Sequence, residues 1–105
     1  MPYIKQNLRK EVDAELQALI NKVREISDKE SIYGILNYCI LTLILETVIG
    51  SIQNTRYFTI NGINGLLTSI IQEFNRRIAD NYENKKIAEN GDLAILEDDP
   101  AVKFI

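Results

Sequence analysis

The sequence predicts an all-α fold: a three-helix bundle around one long apolar helix, assembling as a homo-oligomer. Three observations carry that prediction. Between Ser31 and Gln72 only Glu46 and Arg56 are charged, in a 105-residue chain that is 26% charged overall. Apolar residues on either side of this block recur three and four positions apart, the spacing of one helical face. The block itself runs without a turn signal up to Gly50, too long for a strand. A segment so poor in charge must hide most of its surface, and one layer of neighbours is not enough to do so.

The first helix is expected over about 7–27. Leu8, Val12, Leu16, Leu19, Val23 and Ile26 form a narrow stripe, and most intervening positions are charged or polar. That is the pattern of a surface helix or a coiled-coil seam. Asn7 is placed to cap its start, and the run Ser27-Asp28-Lys29-Glu30 ends it. Ser31 is placed to cap a second helix over about 32–52. Its apolar residues lie almost all round, with Thr42, Glu46 and Gln53 on one thin polar strip, so it reads as the central helix.

A connection over 53–58 leads to a third helix from about 60 to 84 or 89, capped by Thr59 or Asn61. Its apolar stripe is Ile60, Ile63, Leu67, Ile70, Ile71, Phe74 and Ile78. Gly62 and Gly65 near its start point either to close backbone approach or to a frayed first turn. Asn90-Gly91 is a stop. The tail 92–105 contains a solvated break at Glu97-Asp98-Asp99-Pro100 and a short apolar end, Ala101 to Ile105. A short strand pair between Pro2-Tyr3-Ile4 and Leu93-Ala94-Ile95 completes the expected fold, one helical domain over 1–105.

Composition narrows the function classes. The net charge of −3 gives no field for nucleic acid. There is no His, so the usual neutral-pH acid–base group and any Ser-His or Cys-His pair are absent. The single Cys39 sits in an apolar run and reads as a buried small hydrophobe. The opening Met1-Pro2-Tyr3-Ile4-Lys5 is no signal peptide. The stretch 35–52 is marginal as a membrane span, because Glu46 near its centre would cost about 2–3 kcal/mol in lipid. The expected setting is cytoplasmic, without membrane or nucleic acid. No cofactor or metal is expected. Helical nucleoside-triphosphate pyrophosphohydrolases hold magnesium with paired carboxylates on facing helices, and this chain offers an incomplete set. A non-enzymatic protein is the expectation.

Two constellations remain. Asn61, Asn64, Thr68, Gln72 and Asn75 lie on one face of the third helix, continued by Ala79 and Tyr82. Exposed helix faces usually carry Lys and Glu, so an uncharged hydrogen-bonding stripe suits a covered surface, by a partner helix or a polar ligand. A solvated face is the alternative. Arg76, Arg77, Tyr82 and Lys86 form the second group, either as surface pairs or as part of a site for an anionic, nucleotide-like ligand. Glu46 needs a partner or an exposed gap. Glu46, Glu73 and Arg77 are the candidate structural ion-pair residues, with Arg56 a further partner for Glu46.

Several blocks resemble a small family of uncharacterised helical proteins. They are Met1-Pro2-Tyr3-Ile4, Gly34-x-x-Asn37-Tyr38, Asn61-x-x-x-Gly65-x-Leu67, Glu73-x-x-Arg76-Arg77 and Tyr82-Glu83-x-x-Lys86-x-x-x-Asn90-Gly91-Asp92. The resemblance covers the chain to about Leu93, and the last block is its most specific part. It implies a family spread through phage, bacterial and archaeal genomes with no established activity, hence no catalytic residues to carry over. It also implies that Thr68 and Asn75 are departures, where similar proteins carry Glu and Tyr, which weakens any metal role here. The functional expectation is a homo-oligomer, dimer or higher, that binds a small polar or anionic ligand or a protein partner. The alternatives are a structural or assembly module and, last, a magnesium-dependent nucleotide-cleaving enzyme.

Overall fold

A computed structural model describes residues 2–50 and 56–96, and these are helical with no strand among them. Three helices account for most of the chain. Helix α1 is Gln6–Ile26. Helix α2 is Ile32–Ile44, continued by a π turn, Leu45–Ile49. Helix α3 begins with Tyr57–Phe74, passes through a second π turn, Asn75–Ala79, and ends with Asp80–Asn90. The chain divides into two compact units, Met1–Leu67 and Thr68–Ile105.

In the first unit, α1 starts one residue before the expected cap. Asn7 lies inside the first turn and makes no cap bond; the Lys5 carbonyl accepts from the Leu8 and Arg9 N–H groups at 3.0 and 3.1 Å. Arg9 Nε donates to the Ile4 carbonyl at 2.8 Å and ties the entering segment to the helix. The far end closes at Ser27, whose extended backbone (φ −102°, ψ 156°) breaks the helix while its N–H still reaches the Val23 carbonyl at 3.0 Å.

The corner into α2 is a reciprocal capping box built on Asp28. Asp28 Oδ1 accepts from the Glu30 and Ser31 N–H groups at 3.0 and 2.8 Å, and the Asp28 N–H donates to Ser31 Oγ at 3.0 Å. Ser31 therefore supports the cap and is not the cap: its own backbone is already helical (φ −84°, ψ −19°). The Ser31 N–H first, then the Ser31 hydroxyl and the Glu30 N–H, hold the Asp28 carboxyl below its ordinary value.

Helix α2 is apolar all round, yet it is not buried as a central helix would be. Among its described residues only Ile44 is buried, and Tyr33 and Tyr38 are 77% and 72% exposed. Among the described residues of the first unit, the buried side chains are Val23, Ile44 and Thr59. At the end of α2, Thr47 Oγ1 donates to the Leu43 carbonyl at 2.6 Å. The helix then widens, and the Gly50 N–H bonds the Leu45 carbonyl five residues back. Ser51, Ile52 and Gln53, the expected end of this helix and its polar strip, lie outside the described residues.

Helix α3 starts at Tyr57, three residues earlier than expected, with the Ile60 N–H on the Arg56 carbonyl at 3.1 Å. Thr59 and Asn61 therefore sit within the helix and do not cap it. Gly62 and Gly65 have open space where a Cβ would stand, so no backbone closes on either among the described residues.

In the second unit the helix ends at Gly91, whose φ of +87° and ψ of 150° belong to a region that only glycine adopts readily. Its N–H bonds the Ile87 carbonyl at 2.8 Å. Ala94–Leu96 is a single 3-10 turn with the Leu96 N–H on the Leu93 carbonyl at 2.9 Å. The expected strand pair with Pro2-Tyr3-Ile4 is therefore not formed: these tail residues curl into a local turn and offer no ladder. The expected break at 97–100 and tail at 101–105 lie outside the described residues.

Candidate functional site

Two kinds of surface stand out, an apolar groove system in the first unit and a polar helix end in the second. The main groove runs between α1 and α2. Leu16, Leu19, Ile20, Val23 and Arg24 form one wall; Ile32, Leu36, Cys39, Ile40 and Leu43 form the other, around a volume of about 300 Å³. On its other side α2 borders a second groove of about 270 Å³, where Asn37, Ile40, Leu41, Ile44 and Leu45 face Ile63 and Leu67. Cys39 is half-buried in the first groove. Such grooves can bury apolar surface, and among the described residues that line them Arg24 is the one charged residue.

This groove system is what the sequence reading missed as a site. Its signal was present: the three-and-four spacing of α1 marks a seam that wants a partner. What the spacing leaves open is how much of that seam α2 covers.

The polar stripe divides between the units. Asn61 and Asn64 are exposed on the first-unit part of α3, and Thr68, Gln72 and Asn75 are exposed on the second-unit part. None of the five makes a side-chain hydrogen bond among the described residues. The π turn at Asn75–Ala79 redirects the rest of the helix. Its Asp80 N–H bonds the Asn75 carbonyl five residues back, which inserts one residue and rotates the helix beyond by about 100°. Tyr82 and Lys86 therefore leave the line of Thr68, Gln72 and Asn75 and turn toward the line of Ile71, Phe74 and Ile78. A wheel with constant pitch had placed Tyr82 on the stripe.

Both arginines converge on one carboxylate. Arg76 Nη2 donates to Glu73 Oε1 at 2.7 Å and Arg76 Nε reaches Oε2 at 3.3 Å. Arg77 Nε lies 3.3 Å from the same Oε1. Glu73 is largely covered, at 19% side-chain exposure, while the arginines are open. An anion at Arg76 and Arg77 would compete with Glu73. Beyond the π turn, Asn81 Nδ2 donates to the Arg77 carbonyl at 2.7 Å. Lys86 Nζ stands 5.5 Å from the centre of the Tyr82 ring and 3.2 Å from Glu89 Oε2. Next to it a shallow recess of about 460 Å³ is lined by Glu83, Lys86, Ile87, Asn90, Gly91, Asp92, Leu93 and Leu96. The positive φ of Gly91 folds the chain back to make that recess.

Glu46 is exposed in the π turn of the first unit and makes no ion pair among the described residues. Arg77 belongs to the second unit. No three His, Cys, Asp or Glu side chains come together as a metal-holding group among the described residues. The stretch Ile32–Ile49 is long and apolar enough to cross a membrane by length and composition, the one such helix among the described residues, with 6% of it buried.

No curated protein and no solved structure matches the chain. A family model does match it, over residues 1–93, a stretch that holds the sequence blocks from Met1-Pro2 to Gly91-Asp92 and most of the recess at the end of α3. The chain belongs to the family described as Domain of unknown function (DUF6899).

Proposed function

We propose that this chain is a small self-associating helical protein of the cytoplasm, whose apolar helices are covered by copies of itself and whose polar face on α3 receives a further partner or a small polar ligand. One observation carries this reading. Helix α2 is apolar all round, flanked by two open grooves, and only Ile44 of its described residues is buried. Exposed apolar surface of that continuity is a docking surface in a stable protein. A bilayer is the less favoured cover, because Glu46 is a charged residue within Ile32–Ile49 and charge inside an apolar span is costly.

Sedimentation velocity and native mass spectrometry of the full chain at micromolar concentration test the proposal. A dimer or higher species supports it. A well-behaved monomer at about 100 μM removes it. The ligand part is tested separately by thermal shift against common nucleotides and cyclic nucleotides. Support comes from the amides of Asn61, Asn64, Gln72 and Asn75, which have no hydrogen-bond partner among the described residues. If none of these compounds moves the melting temperature, the ligand part is discarded and the assembly part stands alone.

A further inference from the structure

Each π turn of this protein carries a side chain that bonds back to the helix carbonyl four residues earlier. In α2, Thr47 lies within Leu45–Ile49 and its Oγ1 donates to the Leu43 carbonyl at 2.6 Å. In α3, Asn81 Nδ2 donates at 2.7 Å to the carbonyl of Arg77, a residue inside Asn75–Ala79. A side chain that takes a carbonyl of the backbone ladder competes with regular pitch and bends a helix. We infer that Asn81 is the positioning residue that holds α3 in its π pitch, and that its amide thereby keeps Tyr82 and Lys86 off the polar line of Thr68, Gln72 and Asn75. This rests on the ligand part of the function proposed above for its use, and it names how that face is regulated.

Local bonds decide the pitch because packing does little to fix it. The π bond runs from the Asp80 N–H to the Asn75 carbonyl, whereas an α turn sends the same N–H to the Arg76 carbonyl. The two pitches use one donor and differ in its acceptor. None of Asp80–Asn90 is buried, so no core contact of this segment resists rotation. The Glu73 pairs with Arg76 and Arg77 have the three-and-four spacing of an ordinary α-helix. The Lys86 contacts with Tyr82 and Glu89 lie wholly beyond the turn and move with it. A π turn spreads its amides over one more residue than an α turn, so a carbonyl within it goes short of a backbone donor. Asn81 supplies a donor there, and Thr47 does the same beside the other π turn.

The pitch determines which side chains share a face. In the π pitch, Tyr82 and Lys86 turn toward the line of Ile71, Phe74 and Ile78. In an α pitch they rotate back by about 100°, and Tyr82 stands two turns beyond Asn75, about 10 Å along the axis. The amides of Gln72 and Asn75, the Tyr82 ring and the Lys86 cation then lie on one side of the helix. That set matches a nucleoside phosphate, with an aromatic base, hydrogen-bonding edges and an anion. Such a ligand engages all four side chains by displacing the Asn81 amide from the Arg77 carbonyl.

An isosteric pair of variants tests the assignment. Asn81→Val removes the donor, and Asn81→Thr restores one of the kind Thr47 uses; both are β-branched, so their helix propensities are alike. Loss of one such bond shifts the ratio of the two pitches about fivefold. Couplings across hydrogen bonds, measured by NMR on the labelled full chain, report the acceptor of the Asp80 N–H directly. In Asn81→Val the coupling to the Asn75 carbonyl carbon is expected to fall at least about twofold and one to the Arg76 carbonyl carbon to appear, while Asn81→Thr keeps the wild-type pattern. If Asn81→Val fails to fold, Asn81→Asp, of the same shape and without a donor at neutral pH, takes its place. Valine and threonine variants that both keep the wild-type coupling overturn the inference, and so does a threonine variant that loses as much of it as valine. Titration with adenosine monophosphate reads the ligand part separately: Asn81→Val is expected to bind about fivefold more tightly than Asn81→Thr. Equal affinities overturn the regulatory use of the pitch, and absence of binding to either discards the ligand part of the proposed function while the couplings still decide the role of Asn81.

Discussion

Leu43→Ala reads directly whether the groove between α1 and α2 is open or filled. Leu43 lines that groove and is 59% exposed in the single chain, while its neighbour Ile44 is 7% exposed. For the chain alone, truncating Leu43 removes less than half the benefit of a fully buried leucine, about 1 kcal/mol. With a second copy seated in the groove, the same change leaves a cavity in a packed interface and costs about 2–4 kcal/mol. Ile44→Ala is the internal reference, at about 2–4 kcal/mol whatever the concentration, because the chain itself covers that side chain. The assay is urea unfolding of wild type and both variants by circular dichroism, at about 1 and about 100 μM chain. The expected result is a Leu43→Ala penalty that grows with concentration, alongside a wild-type midpoint that rises with it. A penalty fixed near 1 kcal/mol at both concentrations, with a constant wild-type midpoint, would refute the reasoning and leave the groove open to solvent.

Three further outcomes rest on local geometry. Gly91→Ala is expected to destabilise the end of α3 by about 1–3 kcal/mol, seen as faster amide exchange over the last turns, since φ of +87° with ψ of 150° is strained for any residue with a Cβ. The Asp28 cap should give a pH signature: its carboxyl is lowered in the folded chain, so its stabilisation is complete above the ordinary carboxylate value and is lost as pH falls through the folded one. The melting-temperature gap between wild type and Asp28→Ala should therefore be widest near neutrality and narrow in acid, and a gap independent of pH would contradict the capping box. Glu73→Gln removes the carboxylate shared by Arg76 and Arg77, pairs in which both arginines are open to solvent. It should change stability by no more than about 1 kcal/mol, measured by urea unfolding, and should strengthen binding of inorganic phosphate to the second unit, measured by titration calorimetry.

The helical class and the stop at Gly91 were legible because they depend on local chemistry. The spacing of Leu8 to Ile26 states a helical face, and Asn-Gly after a helical run states an end. The starts of the helices were less legible. Asp28 and Ser31 are both good capping residues, and only the corner geometry gives Asp28 the cap and Ser31 the reciprocal bond. The expected line from Asn61 to Tyr82 assumed one pitch throughout α3, and a π turn is not written in any residue type at Asn75–Ala79. Its one inserted residue carries Tyr82 and Lys86 to another face.

Side-chain order along the chain settled that this protein is helical and where its apolar faces run. Those are properties of periodicity, and periodicity is local. Which flank of α1 is taken by α2, which carboxylate gathers Arg76 and Arg77, and how far Leu43 stands from Ile44 in exposure came from packing in space. Such facts depend on contacts between residues distant along the chain and on single-residue changes of helical pitch, and neither leaves a mark in spacing alone.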